Sequence, residues 1–240
     1  MKSRFLIVLS LLMLAGGVPA RAGVYSASAS GSASPNAIIP DGGSALNTLS
    51  SSLNISILAN QITSISVSLN ISGGFNGDLY GYLRGPDGTI AVLVNRVGVT
   101  SSDPFGYGDT GLHVTINDST GTRDIHNYQA GAYTLNDGGQ LTGTWVSDGR
   151  NTDPNSATDA SARDATLGGL AGSDPNGTWT LVFSDWVTSG DPSTLVSWGL
   201  QIDAVPEPVE IALGVFAVLF IGFQMGRKCW PELFRRRNEL

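Results

Sequence analysis

Ile65-Ser66-Val67-Ser68-Leu69-Asn70-Ile71 alternates apolar and small polar residues without a break, and Ser64 keeps the phase on its N-terminal side. A period of two sets one row of side chains on a core and the other in water, so this stretch predicts a half-buried β-strand. Shorter apolar runs flank it at 53–58, 79–83, 90–94 and 112–116, each closed by Gly, Asn, Asp or Pro clusters that end strands through turn chemistry. Further on, Trp179, Leu181 and Phe183 alternate with Thr180 and Val182, and Val196, Trp198, Leu200 and Ile202 follow. Those two strands are expected to carry Trp179 and Trp198 into the core, where their large buried areas matter most. No amphipathic helical stretch of useful length precedes Val209, and with 31 Gly in 240 residues the composition suits short strands and many turns. The expectation is one all-β domain, a β-sandwich.

Only 14% of the residues are charged, and the charge is unevenly spread. Residues 23–205 hold sixteen Asp against five Arg and no Lys, a balance of −11, whereas all four Glu lie beyond residue 205. Such a body repels a phosphate backbone, which excludes a nucleic-acid binder. The Asp-rich bias has two readings: Asp is a turn-forming acid, and it is also an oxygen ligand for Ca²⁺.

The two ends look like addresses. Met1–Arg4 is a short basic start, Phe5–Ala15 an apolar run, and Ala20-Arg21-Ala22 a small-residue cleavage pattern, so residues 1–22 read as a secretory signal peptide removed after Ala22. Residues 23–37 are Ser-, Ala- and Gly-rich and read as a flexible leader. At the other end an apolar segment extends over 209–226, and a basic tail, 227–240, carries Arg227, Lys228, Arg235, Arg236 and Arg237. Basic residues on the uncrossed side orient a membrane helix, which puts the tail in the cytoplasm and the body outside. Between body and helix, 204–208 is a linker with Pro206-Glu207-Pro208. The single cysteine, Cys229, allows no intramolecular disulfide.

Pro-Glu-Pro, one hydrophobic helix and a terminal Arg cluster together resemble the PEP-CTERM sorting signal of bacterial envelope proteins. The resemblance implies a Gram-negative host, export by the general pathway, and an exosortase that processes the tail during export linked to extracellular polysaccharide. It makes Pro206, Glu207, Pro208, Arg235, Arg236 and Arg237 the sorting residues. Glu210 inside the early helix and Arg227-Lys228 ahead of the Arg triplet depart from the usual pattern.

In the body, three blocks stand in order. Ile39-Pro40-Asp41-Gly42 opens it; Gly77-Asp78-Leu79 leads to Leu83-Arg84-Gly85-Pro86-Asp87-Gly88-Thr89; and Leu170-Ala171-Gly172 leads through Asn176-Gly177-Thr178-Trp179 to Asp185 and Trp198. Over 38–203 the chain resembles the P domain, or Homo B domain, of kexin-like and bacterial subtilisin-type proteases. The resemblance implies a jelly-roll β-sandwich and an association with proteolysis. The His-Thr pair usual before Gly-Asp-Leu is absent, since Ser72-Gly73-Gly74-Phe75-Asn76 runs on in its place, and residues 97–168 match only loosely.

A serine protease needs Ser, a His base and an orienting Asp together. Only His113 and His126 are available; His113 alternates with Leu112 and Val114 and reads as solvent-facing, and His126 reads as part of a polar loop. Asp109-Thr110-Gly111 resembles a catalytic Asp-Thr-Gly, without the accompanying blocks, and reads as a turn; an aspartic-protease homodimer could supply a second copy by symmetry. Asp41, Asp78, Asp118 and Asp185, each beside a strand end at a matched or half-matched position, are the candidate Ca²⁺ ligands, and the Asp residues of the long polar stretch 147–169 lack EF-hand spacing. That stretch is too long for an ordinary loop and is expected to be mobile or ordered by something it binds. The function expected is a non-catalytic exported module of the envelope or extracellular matrix; the competing reading is an accessory domain acting with a separate secreted subtilisin-type endopeptidase. Tyr80, Tyr82, Phe105 and Tyr107 have two readings, carbohydrate contact and packing within the sandwich.

Overall fold

The computed structural model describes residues 27–42, 47–188, 190–206 and 212–224. In chain order the strands are β1 (Ala27–Ala33), β2 (Ala37–Ile38), β3 (Leu49–Ile55), β4 (Gln61–Ser72), β5 (Leu79–Arg84), β6 (Ile90–Asn95), β7 (Gly111–Ile116), β8 (Leu141–Trp145), β9 (Gly177–Asp185) and β10 (Thr194–Val205). They form two sheets, one ordered β1-β10-β4-β7-β8 with β2 also on β10, the other β3-β9-β5-β6. The architecture is an all-β sandwich. All neighbours are antiparallel except β7 and β8, which run parallel from Leu112↔Leu141 to Ile116↔Trp145.

The alternation in β4 does what its period dictates. Ile62, Ile65, Val67, Leu69 and Ile71 are buried, while Thr63 and Ser68 face water. Trp179 and Trp198 are buried in the core, and their indole N–H groups donate to the Pro175 carbonyl and Ser51 Oγ, both at 2.8 Å, so neither ring brings an unpaired donor into the core. In β10 a bulge between Leu195 and Ser197 shifts the phase, so that Leu195 fills the core and Val196, expected on the inward face, is half-buried.

Three expectations shift for local reasons. The strand expected at 53–58 ends at Ile55 because Asn176 takes over the turn, accepting from Ile57 N at 2.7 Å and donating to the Ala59 carbonyl at 2.8 Å; Leu58 is left 85% exposed. The leader expected at 23–37 contains β1 and the first residue of β2. Its Ala, Ser and Gly residues lack an apolar run, yet β1 pairs with β10 from Ala27↔Ala204 to Ala33↔Trp198, and backbone pairing with a preformed edge does not require large side chains. The sandwich therefore begins before residue 38.

The stretch 147–169 is the third. It lies along β6 as an added edge: Asp148 N donates to Leu93 O, Gly149 N to Val92 O and Val92 N to Ala165 O, at 2.8–3.1 Å. This explains why five of the six residues of β6 are buried, and it covers a strand edge that would otherwise offer unpaired backbone groups.

Residues 212–224 are helical, with Leu213, Phe216, Leu219, Phe220 and Phe223 exposed. Among the described residues no helix is long and apolar enough to cross a membrane. The described helix, 212–224, lies within the span expected over 209–226, and both ends of that span lie outside the described residues. The expected signal peptide, residues 1–22, the tail 227–240 with Arg235, Arg236 and Arg237, and Glu207 and Pro208 of the sorting motif lie outside the described residues; Pro206 directly follows β10.

Candidate functional site

The four Asp residues expected to bind Ca²⁺ divide into a group of three and one apart. β9 ends at Asp185, which lies opposite Leu79 at the start of β5 and forms a backbone bridge with Asp41. Asp185 N donates to the Pro40 carbonyl at 2.9 Å and Trp186 N to the Asp78 carbonyl at 2.7 Å. Asp41, Asp78 and Asp185 therefore meet at one end of the second sheet. Burial, followed by the charge of Asp185, pushes the Asp78 carboxyl up to about 6, against the opposing pull of Arg96. Asp185 is also raised, first by burial and with Asp41 adding to it. Arg96, the nearby cation, is held by the carbonyls of Gly77 and Pro104 at 3.2 and 2.9 Å.

Asp118 is elsewhere, and its oxygens are occupied. Ser147 N donates to Oδ1 at 2.7 Å, and Ser147 Oγ and Gly168 N donate to Oδ2 at 3.0 and 2.6 Å, tying the two ends of 147–169 together. Among the described residues no three His, Cys, Asp or Glu side chains are grouped so as to hold a metal ion. The arrangement gathers three carboxylates of like charge at one corner, where Ca²⁺ takes six to eight oxygens.

A second polar centre was not legible as such. His126, read from sequence as part of a polar loop, is fully buried, with Nδ1 2.9 Å from Asp148 Oδ2 and Nε2 3.0 Å from the Val99 carbonyl. Asp148, also fully buried, accepts from Asn95 N at 2.9 Å and from Arg150 Nη1 at 3.0 Å. Arg150 reaches Asp124 at 2.8 Å and the Asp159 carbonyl at 3.0 Å, and Arg163 donates to the carbonyls of Asp148 and Ser147. Asp124 caps the turn Ile125–Ala130 by accepting from His126 N. Burial lowers the His126 pKa, but the Asp148 carboxylate and the Val99 carbonyl outweigh it, and the net direction is upward. These contacts order 147–169 from within the chain, where sequence reasoning left it mobile or ordered by a ligand. The sequence signal was Asp148-Gly149-Arg150, a charge pair at a spacing that a tight turn closes.

Asp109, of the Asp-Thr-Gly stretch, is tied into the fold. Asp109 Oδ2 accepts from the Tyr128 hydroxyl and Gln129 Nε2, both at 2.8 Å, and the Asp109 carbonyl accepts from Asn76 N. Asn76 Oδ1 in turn accepts from Gly111 N at 3.0 Å. Gly111 has φ +93, and a Cβ there would collide with the Ile71 carbonyl, so the glycine of Asp-Thr-Gly serves the entry into β7. His113 is exposed on the outer face of the first sheet, above a shallow trough of about 370 Å³ lined by Ser68, Asn70, Thr115 and Ser197.

The outer face of the second sheet carries a row of half-exposed rings. Tyr80 and Tyr82 stand two residues apart on β5, their ring centres 5.7 Å apart, and Trp186 lies 6.1 Å from Tyr80 at an interplanar angle of 77°. Arg84 ends the row, its guanidinium 5.8 Å from the Tyr82 ring centre and 3.3 Å from the Tyr82 hydroxyl. Trp186 Nε1 donates to Asn155 Oδ1 at 2.9 Å, so the row is steadied by 147–169. Of the four aromatic candidates, Tyr80 and Tyr82 fall in this row; Phe105 is 72% exposed on its own loop, and Tyr107 packs on Tyr128 and the core edge. Trp186 and Arg84 were not foreseen as members.

No protein-family model matches the chain, and no curated protein matches it. Among solved structures it is similar to the serine protease of Aeromonas sobria in complex with the chaperone ORF2, with a TM-score of 0.42 at 16% identity, and to that protease alone, with a TM-score of 0.41 at 17% identity. In each case 82% of this chain is covered, and the chain spans 30% of the other's length. Nothing of that protein's activity is carried over from so partial a likeness.

Proposed function

We propose that the chain is an exported, non-catalytic module of the envelope or extracellular matrix of a Gram-negative bacterium, built on a P/Homo B-like jelly roll. An exosortase sorts it through Pro206-Glu207-Pro208 and the terminal Arg cluster, and the sandwich engages extracellular polysaccharide. The observation that carries the binding reading is the row Tyr82, Tyr80 and Trp186 with Arg84 at its end. Aromatic faces stack on the C–H faces of sugar rings, and Arg84 adds a donor fork for hydroxyl or carboxylate oxygens. The non-catalytic reading is supported by the groups already committed: His126 to Asp148 and Val99, and Asp109 to Tyr128 and Gln129.

Affinity electrophoresis of the full chain through gels containing polysaccharide from an exosortase-bearing host tests this. Retardation that is lost in a Tyr82→Ala/Trp186→Ala variant with an unchanged melting temperature supports the reading; equal mobility with and without polysaccharide overturns it. Intact-mass analysis of envelope and medium fractions tests the sorting step, since a dominant species ending at Leu240 would make the tail a permanent extension. The accessory-protease reading draws on the ordered Gly-Asp-Leu, Pro-Asp-Gly-Thr and Gly-Thr-Trp blocks. It requires that a secreted subtilisin-type protease co-purify with the chain and gain stability from it.

A further inference from the structure

A neutral imidazole has one N–H donor and one lone-pair acceptor. Both ring nitrogens of His126 face acceptors, the carboxylate of Asp148 at 2.9 Å and the carbonyl of Val99 at 3.0 Å. Only the doubly protonated ring satisfies both contacts. Asp148 is met by further donors as well, Asn95 N on one oxygen and the guanidinium of Arg150 on the other. The groups facing the ring come from three segments: Asp124 from its own turn, Val99 from the chain after β6, and Asp148 and Arg150 from 147–169, with Arg163 3.6 Å from Asp124 behind them. Val99 O also accepts from Asp159 N at 3.1 Å, so the imidazolium and 147–169 converge on one carbonyl.

We propose that His126 is a pH-sensitive latch: as an imidazolium it fastens 147–169 to the segment after β6, and loss of its proton loosens that stretch along the edge of the second sheet. The ring nitrogen that loses its proton then points a lone pair at an oxygen. Arg150 and Arg163 remain balanced by Asp124 and Asp148, so the stretch loosens without being expelled. The sign follows from the raised folded-state pKa: the latch is fully set below the unfolded value of about 6.5 and is released as pH rises through the higher folded value. Because Asn155 in the same stretch holds Trp186, release also frees one ring of the aromatic row; this last step rests on the binding reading above, whereas the latch does not.

The test uses the full chain in detergent. Long-range proton–nitrogen spectra of the two imidazoles, assigned with His113→Gln, report the protonation of each ring nitrogen. Trypsin cleavage after Arg150 and Arg163, normalised to an unstructured reporter peptide, reports the stretch. Between about pH 6 and about pH 9 the expected result is an imidazolium that titrates above the unfolded value, with cleavage rising several-fold over the same range. The His126→Gln variant is expected to show cleavage that no longer depends on pH. A ring already neutral at the acid end, or normalised cleavage that stays constant while the ring deprotonates, overturns the latch even if His126→Gln does not fold. Polysaccharide enters neither measurement, so failure here leaves the binding reading standing, and lost retardation in gels leaves the latch standing.

Discussion

Two acidic centres of the same sandwich are built in opposite ways. Around Asp148 each charge meets an opposite one: Asp148 lies between His126 and Arg150, and Asp124 lies between Arg150 and Arg163. At Asp41, Asp78 and Asp185 three carboxylates share a corner with Arg96, whose guanidinium is spent on carbonyls. Burial is similar, since Asp148 is 0%, Asp185 5% and Asp78 6% exposed. Partnership, not depth, therefore separates them. A partnered buried charge holds the fold together, whereas a crowded one is tolerated and leaves the fold sensitive to the solution around it.

The strongest way to break the comparison is Asp148→Ala. It strands His126 in the interior and leaves Arg150 with Asp124 as its one carboxylate, and it is expected to cost about 3–5 kcal/mol, the usual penalty for orphaning a buried ion partner, read from urea denaturation near neutral pH. A loss below about 1 kcal/mol would show that the network contributes no more than a surface pair does. Asp78→Asn should act in the opposite direction. The folded-state pKa, about 6, lies above the ordinary 3.8, so the folded protein holds the proton more tightly and stability falls as pH rises through that interval. The variant is expected to gain about 1 kcal/mol at pH 7, less than the full shift implies because Arg96 loses a counter-charge and Asp41 is open to water, and the gain should vanish near pH 4. A stability curve that is flat between those limits in the native protein would remove the contrast.

The smallest effect is expected from calcium. Ca²⁺ and Mg²⁺ at matched ionic strength should raise the melting temperature by similar small amounts through screening of the corner. A rise specific to Ca²⁺ and lost in Asp185→Asn would instead show that the corner closes on the ion and that the sequence-based ligand set was right for three of its four members.

What could be read in advance was local. The period of two in β4 and the inward Trp179 and Trp198 depend on side chains a few residues apart, and they stand as expected. The Asp pattern also located Asp41, Asp78 and Asp185 beside strand ends that prove to be neighbours. What could not be read depends on separation along the chain. His126 and Asp148 lie 22 residues apart and looked like two loop residues, because neither has apolar periodicity around it and their loops are brought together by the parallel pairing of β7 with β8 and its continuation at Asp124 and Val146. The strand in the Ala/Ser/Gly leader was hidden for a related reason: its stability comes from a partner near residue 200 and not from its own side chains.

That partner has a consequence for the order in which the chain can fold. β10 sits between β1 and β4 and also pairs β2, so β1 and β2 have no partner in the first sheet until the last strand arrives. A chain emerging N-terminus first, from a ribosome or a translocation channel, has β1, β4, β7 and β8 available early but cannot close that sheet before residue 205 is free. Ser28 must wait for Asp203, 175 positions later. Pairings this distant close slowly and are the last to be rewarded. The body is therefore kept from premature folding by its own topology, and completion of the sandwich is timed to the release of the segment that begins at Pro206.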